Sequence, residues 1–172
     1  MTKFLLHVMI LAVFASSFAA VAADGPHQAE VAKLGGDVMP FSLKATTHVF
    51  TKTAEGGTQR VVAKSITDTN QVRLVREHLH DIQAQFMKGD FSGPTHIHGN
   101  DMPGLAVLKV AKPDQISIRY KDTEGGAELM YRAADAIVVA ALHAWFDAQL
   151  SDRGAEAMTG HQRHHHGDIG KQ

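Results

Sequence analysis

Two histidines separated by one residue, His96 and His98, form the sharpest pattern in the chain that could do chemistry. They lie in a polar, turn-rich segment from residue 90 to 104, which predicts a long functional loop. In an extended backbone, side chains two residues apart project to the same side, so both imidazoles could bind one metal ion. Asp101 and Met102 follow, and offer a carboxylate and a thioether. The thioether would favour copper, and the carboxylate would favour zinc.

Histidine is unusually frequent in this chain, with twelve copies, and cysteine is absent. Imidazole is a common metal ligand, whereas thiolate ligands and thiol catalysis are excluded. His48 in a predicted strand, and His78 and His143 beside the apolar faces of two predicted helices, could complete the ligand shell of the loop. Each of these three has an alternative interpretation as a packing residue. The tail adds a flexible cluster that could bind nickel, zinc or cupric ions with little selectivity: His161, His164, His165 and His166.

The first 23 residues predict a cleavable signal peptide. Lys3 supplies the positive charge, residues 4–14 form an apolar run, and small residues lead to a cleavage site after Ala22 or Ala23. Removal of this segment would release a periplasmic or secreted protein. No later apolar stretch reaches the roughly 18 residues that a spanning helix needs, so no membrane association is expected after cleavage.

The charged side chains argue against a nucleic acid or a membrane surface as the partner. Lysine and arginine together number 17 and the acidic residues 18, for a net charge of −1, with both signs interleaved along the chain. Such a balance gives no basic patch. A metal ion is therefore the predicted partner, and no protein partner is indicated.

The elements that must position the histidines follow a repeated order. Residues 46–52 and 59–63 predict a hairpin with a Glu-Gly-Gly turn, and alternation at 116–120 and 129–131 predicts a second one with the same turn. A helix capped at Asp68 or Thr69 follows the first hairpin, and a helix capped at Asp135 follows the second. The sequence therefore predicts an α+β domain at residues 43–158. It consists of duplicated ββα units with two helices on one face of a four-stranded antiparallel sheet.

The two flanks of this domain lack a sustained apolar period. Residues 24–42 mix glycine, alanine and polar side chains and predict a flexible leader. Residues 159–172 predict a His-rich disordered tail, because they hold too few apolar side chains to pack.

Four segments resemble a family of small exported proteobacterial proteins of unestablished role. They are Arg76-Glu77-His78-Leu79, Lys88-Gly89-Asp90-Phe91-Ser92, Ile97-His98-Gly99-Asn100-Asp101-Met102-Pro103-Gly104-Leu105 and Leu142-His143-Ala144-Trp145-Phe146. The resemblance spans residues 46–158 and implies a shared fold and export, not a reaction. Members are often labelled aspartate carbamoyltransferase. This chain lacks the Ser-Thr-Arg-Thr-Arg loop of that enzyme and is too short for it, so the activity is not predicted here.

The leading functional prediction is a periplasmic transition-metal-binding protein, with copper first and zinc second, centred on His96, His98 and Met102. An alternative is a small metal-dependent hydrolase that uses the same loop with Glu77 or Asp101 as the base. Asp101 falls one place too late for the His-x-His-x-Asp-His pattern of such enzymes. A second alternative is an exported structural or partner-binding module with incidental histidines. The patterns favour a binding protein over an enzyme.

Overall fold

A computed structural model of the chain describes residues 24–160. The helices there are α1 (Asp24–Val38), α2 (Thr69–Phe86), α3 (Ser92–His98), α4 (Leu105–Val110) and α5 (Ala136–Arg153). The strands are β1 (Thr46–Thr53), β2 (Gly56–Ala63), β3 (Ile116–Thr123), β4 (Gly126–Ala133) and β5 (Ala157–Thr159). Short 3₁₀ helices at Leu43–Ala45 and Gly154–Glu156 lead into β1 and β5.

The five strands form one mixed sheet in the order β3-β4-β2-β1-β5. The two hairpins pair antiparallel through β2 and β4, where Val61 lies opposite Ala127. At one edge, β5 runs parallel to β1. The predicted α+β class and both hairpins are confirmed. The prediction of two helices on four antiparallel strands is wrong, because the chain also forms α1, α3 and α4 and adds a short fifth strand after α5.

The core lies on one face of this sheet, beneath α2 and α5. α2 contacts mainly β4 and β3, so it covers the second hairpin, whereas α5 lies over β2 and also contacts β5, β1 and β4. Both helices begin at the predicted caps, since Asp68 accepts from the backbone N–H of Gln71 and Asp135 from that of Ile137.

Trp145 of α5 stands at the centre of this core and has no exposed surface. Its ring meets those of Phe86, Phe91 and Tyr131 edge-on, with ring centroids 5.8 to 6.1 Å apart. Edge-to-face pairs of this kind stabilise a core beyond the area they bury. The aromatic cluster therefore joins α2, α5 and the sheet to the segment that precedes α3.

Both predicted flanks differ from expectation where the structure describes them. Most of the expected leader is α1, because helix-forming residues from Gln28 to Leu34 outweigh the neighbouring glycines and because Val31 is buried. Thr159 belongs to β5, and the backbone N–H of Gly160 donates to the carbonyl of Phe50. The predicted signal peptide and the rest of the tail lie outside the described residues. Between residues 24 and 160, no helix combines the length and apolarity needed to cross a membrane.

Gly104 precedes α4 at a point where two helices approach closely. Its φ is 77°, and a Cβ at this position would collide with the carbonyl oxygen of Ala141 in α5. We expect G104A to lower the free energy of unfolding by about 3 kcal/mol, because both backbone strain and a clash result. G99A is the control for strain without a clash: Gly99 has a φ of 86° and a ψ of 171°, a region that essentially only glycine occupies, but nothing lies within 4 Å, so we expect a loss of about 2 kcal/mol. Equal losses in urea denaturation would contradict the close approach.

Candidate functional site

His96 and His98 lie on α3, within the segment that the sequence predicted to be an extended loop. Pro94 does not prevent this helix, because it falls in the first turn, where a backbone N–H has no helical acceptor. Positions two apart on a helix diverge by roughly 200°, so the two imidazoles leave different sides of α3. His96 is half exposed, with Nε2 3.7 Å from the Asp37 carboxylate, whereas the His98 side chain is fully buried. This segment therefore lacks the extended backbone that was expected to bring His96 and His98 to one metal ion.

The other predicted ligands are dispersed. Met102 packs in the hydrophobic core and Asp101 is exposed, so neither accompanies His98. His143 contacts the turn between β1 and β2, where its Nε2–H donates to the carbonyl oxygens of Thr53 and Gly56 at 3.0 and 2.9 Å. That bonding fits the alternative interpretation of His143 as a packing residue. The remaining predicted ligands, His161, His164, His165 and His166, lie outside the described residues.

Three histidines from separate elements line one small cavity: His48 of β1, His78 of α2 and His98 of α3. The cavity has a volume of about 30 Å³ and is also lined by Trp145 and by the Arg153 side chain at the end of α5. His48 is 2 % exposed. The structure thus brings together two of the three additional ligands that the sequence suggested, His48 and His78, but around His98 and without His96 or His143. We call this space the imidazole cavity.

Asp152 orients His98 from the side. Its Oδ2 lies 2.7 Å from Nδ1 of His98, and its Oδ1 lies 3.0 Å from Nε2 of His27 on α1. A deprotonated carboxylate can only accept, so the His98 proton sits on Nδ1. The opposite nitrogen, Nε2, is buried and has no hydrogen-bond partner among residues 24–160.

Burial keeps the cavity histidines neutral. It is the main cause that lowers the pKa of His98 to about 4, and the Arg153 guanidinium lowers it further while Asp152 opposes the change. Burial also lowers the pKa of His78 to about 4, against the opposing effect of Asp81. The pKa of His48 lies well below its usual value for the same main reason. All three imidazoles are therefore uncharged at neutral pH.

Arg153 contributes a positive charge with few partners. Its Nε donates to Oε1 of Gln149 at 3.1 Å, and one terminal nitrogen lies 3.8 Å from the Met39 sulfur. Within residues 24–160 no carboxylate oxygen lies within 4.0 Å of the guanidinium. Burial lowers the Arg153 pKa to about 10, the nearby Glu156 and Asp152 carboxylates oppose this change, and the group stays charged at neutral pH. The indole N–H of Trp145 is buried without an acceptor in the described part of the chain. Arg153 and Trp145 can only donate, whereas His98 Nε2 can only accept, and His48 Nδ1 is a further buried nitrogen without a partner in residues 24–160.

The sequence contains a signal for the part of the cavity lined by Gln149 and Arg153, but the search for histidine patterns did not identify it. Gln149 and Arg153 continue the apolar stripe of α5, four and eight residues beyond Trp145. Polar side chains at such positions mark a buried polar site. The role of Asp152 had no comparable signal, because its partners His27 and His98 lie far away in sequence.

Comparison with known proteins assigns no family to this arrangement: no family model, no curated protein and no solved structure matches the chain. Across the described residues, no three histidine, aspartate or glutamate side chains are placed to hold one metal ion. The chemistry of the imidazole cavity is therefore the guide to function.

The low pKa values of His78 and His98 predict a protein that loses stability in mild acid. An unfolded histidine titrates near 6.5, so between about pH 6.5 and 4 the unfolded chain binds protons that the folded chain does not. We expect the free energy of unfolding to fall by about 2 kcal/mol per histidine between about pH 7.5 and 5. Urea denaturation at both pH values measures this loss.

H78Q should flatten this pH dependence, because it removes one of the buried histidines whose pKa is lowered. H80Q is the matched control, since His80 is an exposed histidine on the same helix. Identical pH dependence in H78Q and the unmodified protein would show that His78 does not titrate as its burial requires.

Proposed function

We propose that this protein binds a small oxygen-rich anion in the imidazole cavity. The observation that carries the proposal is the Arg153 guanidinium, which lines the cavity without a carboxylate within 4.0 Å in residues 24–160. Removing a charge from water is costly unless an opposite charge and hydrogen bonds compensate. An anion would provide both, since its oxygens could accept from Arg153 and from the indole N–H of Trp145.

The dimensions of the cavity limit the ligand. A cavity of about 30 Å³ exceeds the roughly 10–15 Å³ that one water molecule needs, so it accommodates a molecule of a few non-hydrogen atoms. The cavity is also poorly suited to acid–base catalysis. An efficient general base has a pKa near the working pH, whereas His98 titrates at about 4. These properties favour binding over catalysis.

We further propose that this binding takes place outside the cytoplasm, in the periplasm or after secretion. Support comes from the sequence pattern of residues 1–23 and from the resemblance to exported proteins.

Binding of copper or zinc is a second candidate for the same cavity. Neutral imidazole is the form that binds metals, and a carboxylate behind the second ring nitrogen, as in the pair formed by Asp152 and His98, is typical of metal ligands. The Met39 side chain also lines the cavity and would suit cuprous ion. We favour the anion because the Arg153 charge would repel a cation. The hydrolase alternative has less support, since Glu77 is exposed and pairs with Arg73, and Asp101 is exposed.

Titration calorimetry and thermal unfolding with sodium formate, nitrate and bicarbonate at constant ionic strength test the proposal. We expect saturable binding of at least one anion with a 1:1 stoichiometry, and a rise in Tm that follows it. R153M should weaken binding at least tenfold, because hydrogen bonds to a charged group are lost. K121M, which removes an exposed lysine of β3, is the control and should bind normally.

Two outcomes would contradict the anion proposal. One is the absence of any saturable anion effect, and the other is equal binding by R153M and the unmodified protein. Parallel titrations with zinc and cuprous ions address the second candidate. Tight metal binding that H98A abolishes and R153M preserves would favour the metal instead.

A further inference from the structure

We infer that the ligand of the imidazole cavity is a protonated oxyanion of the bicarbonate type, which donates one hydrogen bond as well as accepting several. The inference rests on the proposed function, because it names the ligand class of the same site. Its basis is the fixed hydrogen-bond polarity of the groups that line the cavity.

The Asp152 carboxylate sets the tautomer of His98. The distance of 2.7 Å between Oδ2 and Nδ1 requires a hydrogen on Nδ1, because the carboxylate has none to give. The other oxygen of Asp152 is occupied by His27 at 3.0 Å, which holds the carboxylate in place. A neutral imidazole with its hydrogen on Nδ1 presents a bare lone pair at Nε2.

That lone pair needs a donor. His98 Nε2 is buried, its side chain has no exposed surface, and no group of residues 24–160 donates to it. Nitrate, formate and chloride carry no acidic hydrogen, so any of them would place lone pairs against a lone pair. The hydroxyl of bicarbonate would instead donate to Nε2.

The opposite requirement comes from Arg153 and Trp145. The guanidinium and the indole N–H can only donate, so they need acceptor oxygens. Bicarbonate has two further oxygens and a negative charge that offsets Arg153. A water molecule could also donate and accept, but it would add no negative charge beside the Arg153 guanidinium, whose carboxylate neighbours Glu156 and Asp152 lie beyond 4.0 Å. The small cavity favours a planar anion with three oxygens over a tetrahedral one.

Bicarbonate and nitrate form a matched pair of probes, because they share charge and planar shape and differ in one hydrogen. We expect the full chain to bind bicarbonate with a Kd at least about tenfold lower than that for nitrate, measured by calorimetry in a closed cell. In the free protein, the NMR chemical shifts of the two ring nitrogens of His98 should show that the hydrogen is on Nδ1. This second measurement needs no variant.

D152N tests the cause of the preference. An amide can donate to Nδ1 and leave the imidazole hydrogen on Nε2, so we expect the ratio of the two Kd values to fall to about one or to reverse. H27A is the control, since it removes the other contact of the same carboxylate and leaves the pair formed by Asp152 and His98. Its preference for bicarbonate should persist.

The outcomes separate the two proposals. Equal affinity for bicarbonate and nitrate would overturn the inference and leave the anion site intact. A His98 hydrogen found on Nε2 in the free protein would overturn it as well. Binding of neither anion would overturn the proposed function itself, and with it this inference, in favour of a cavity that holds water only.

Discussion

The Asp152 carboxylate joins three parts of the chain that are far apart in sequence. It stands near the end of α5, pairs with His98 of α3 and contacts His27 of α1. A carboxylate with 16 % side-chain exposure is favoured where hydrogen bonds satisfy its oxygens, and here each oxygen has an imidazole partner. The position of α1 and the orientation of His98 therefore depend on the same group.

Polar groups beneath α2 and α5 reduce the stability that this core could otherwise have. Three histidines and an arginine occupy space that apolar side chains could fill, and three of the nitrogen atoms there have no partner in residues 24–160: His48 Nδ1, His98 Nε2 and Trp145 Nε1. Each unpaired atom costs free energy in the folded state. His143 shows the contrasting case, since its donor meets two backbone carbonyls. A ligand in the imidazole cavity, as proposed above, would supply partners for these atoms.

Local patterns explain which elements were predicted correctly. Both hairpins and both long helices follow from alternation, helical spacing and the capping residues Asp68 and Asp135, all of which act over a few residues. The errors arose where glycine and proline interrupt the apolar pattern. α1 and α3 are held by single buried side chains, Val31 and Ile97, and by contacts with α5 and with each other. Tertiary packing stabilises such helices, so the local sequence pattern does not predict them.

For the site, the sequence by itself determined the residue types: abundant histidine, no cysteine, and His48 and His78 on elements that face a core. Only the tertiary structure decided which imidazoles meet. His96 and His98 are close in sequence and diverge because α3 is helical, whereas His48, His78 and His98 meet because β1, α2 and α3 pack around one cavity. The tertiary structure also decided that a charged side chain lines this cavity. Arg153 reaches it from the end of α5, and pairing across such sequence distances is set by how elements pack, not by spacing along the chain.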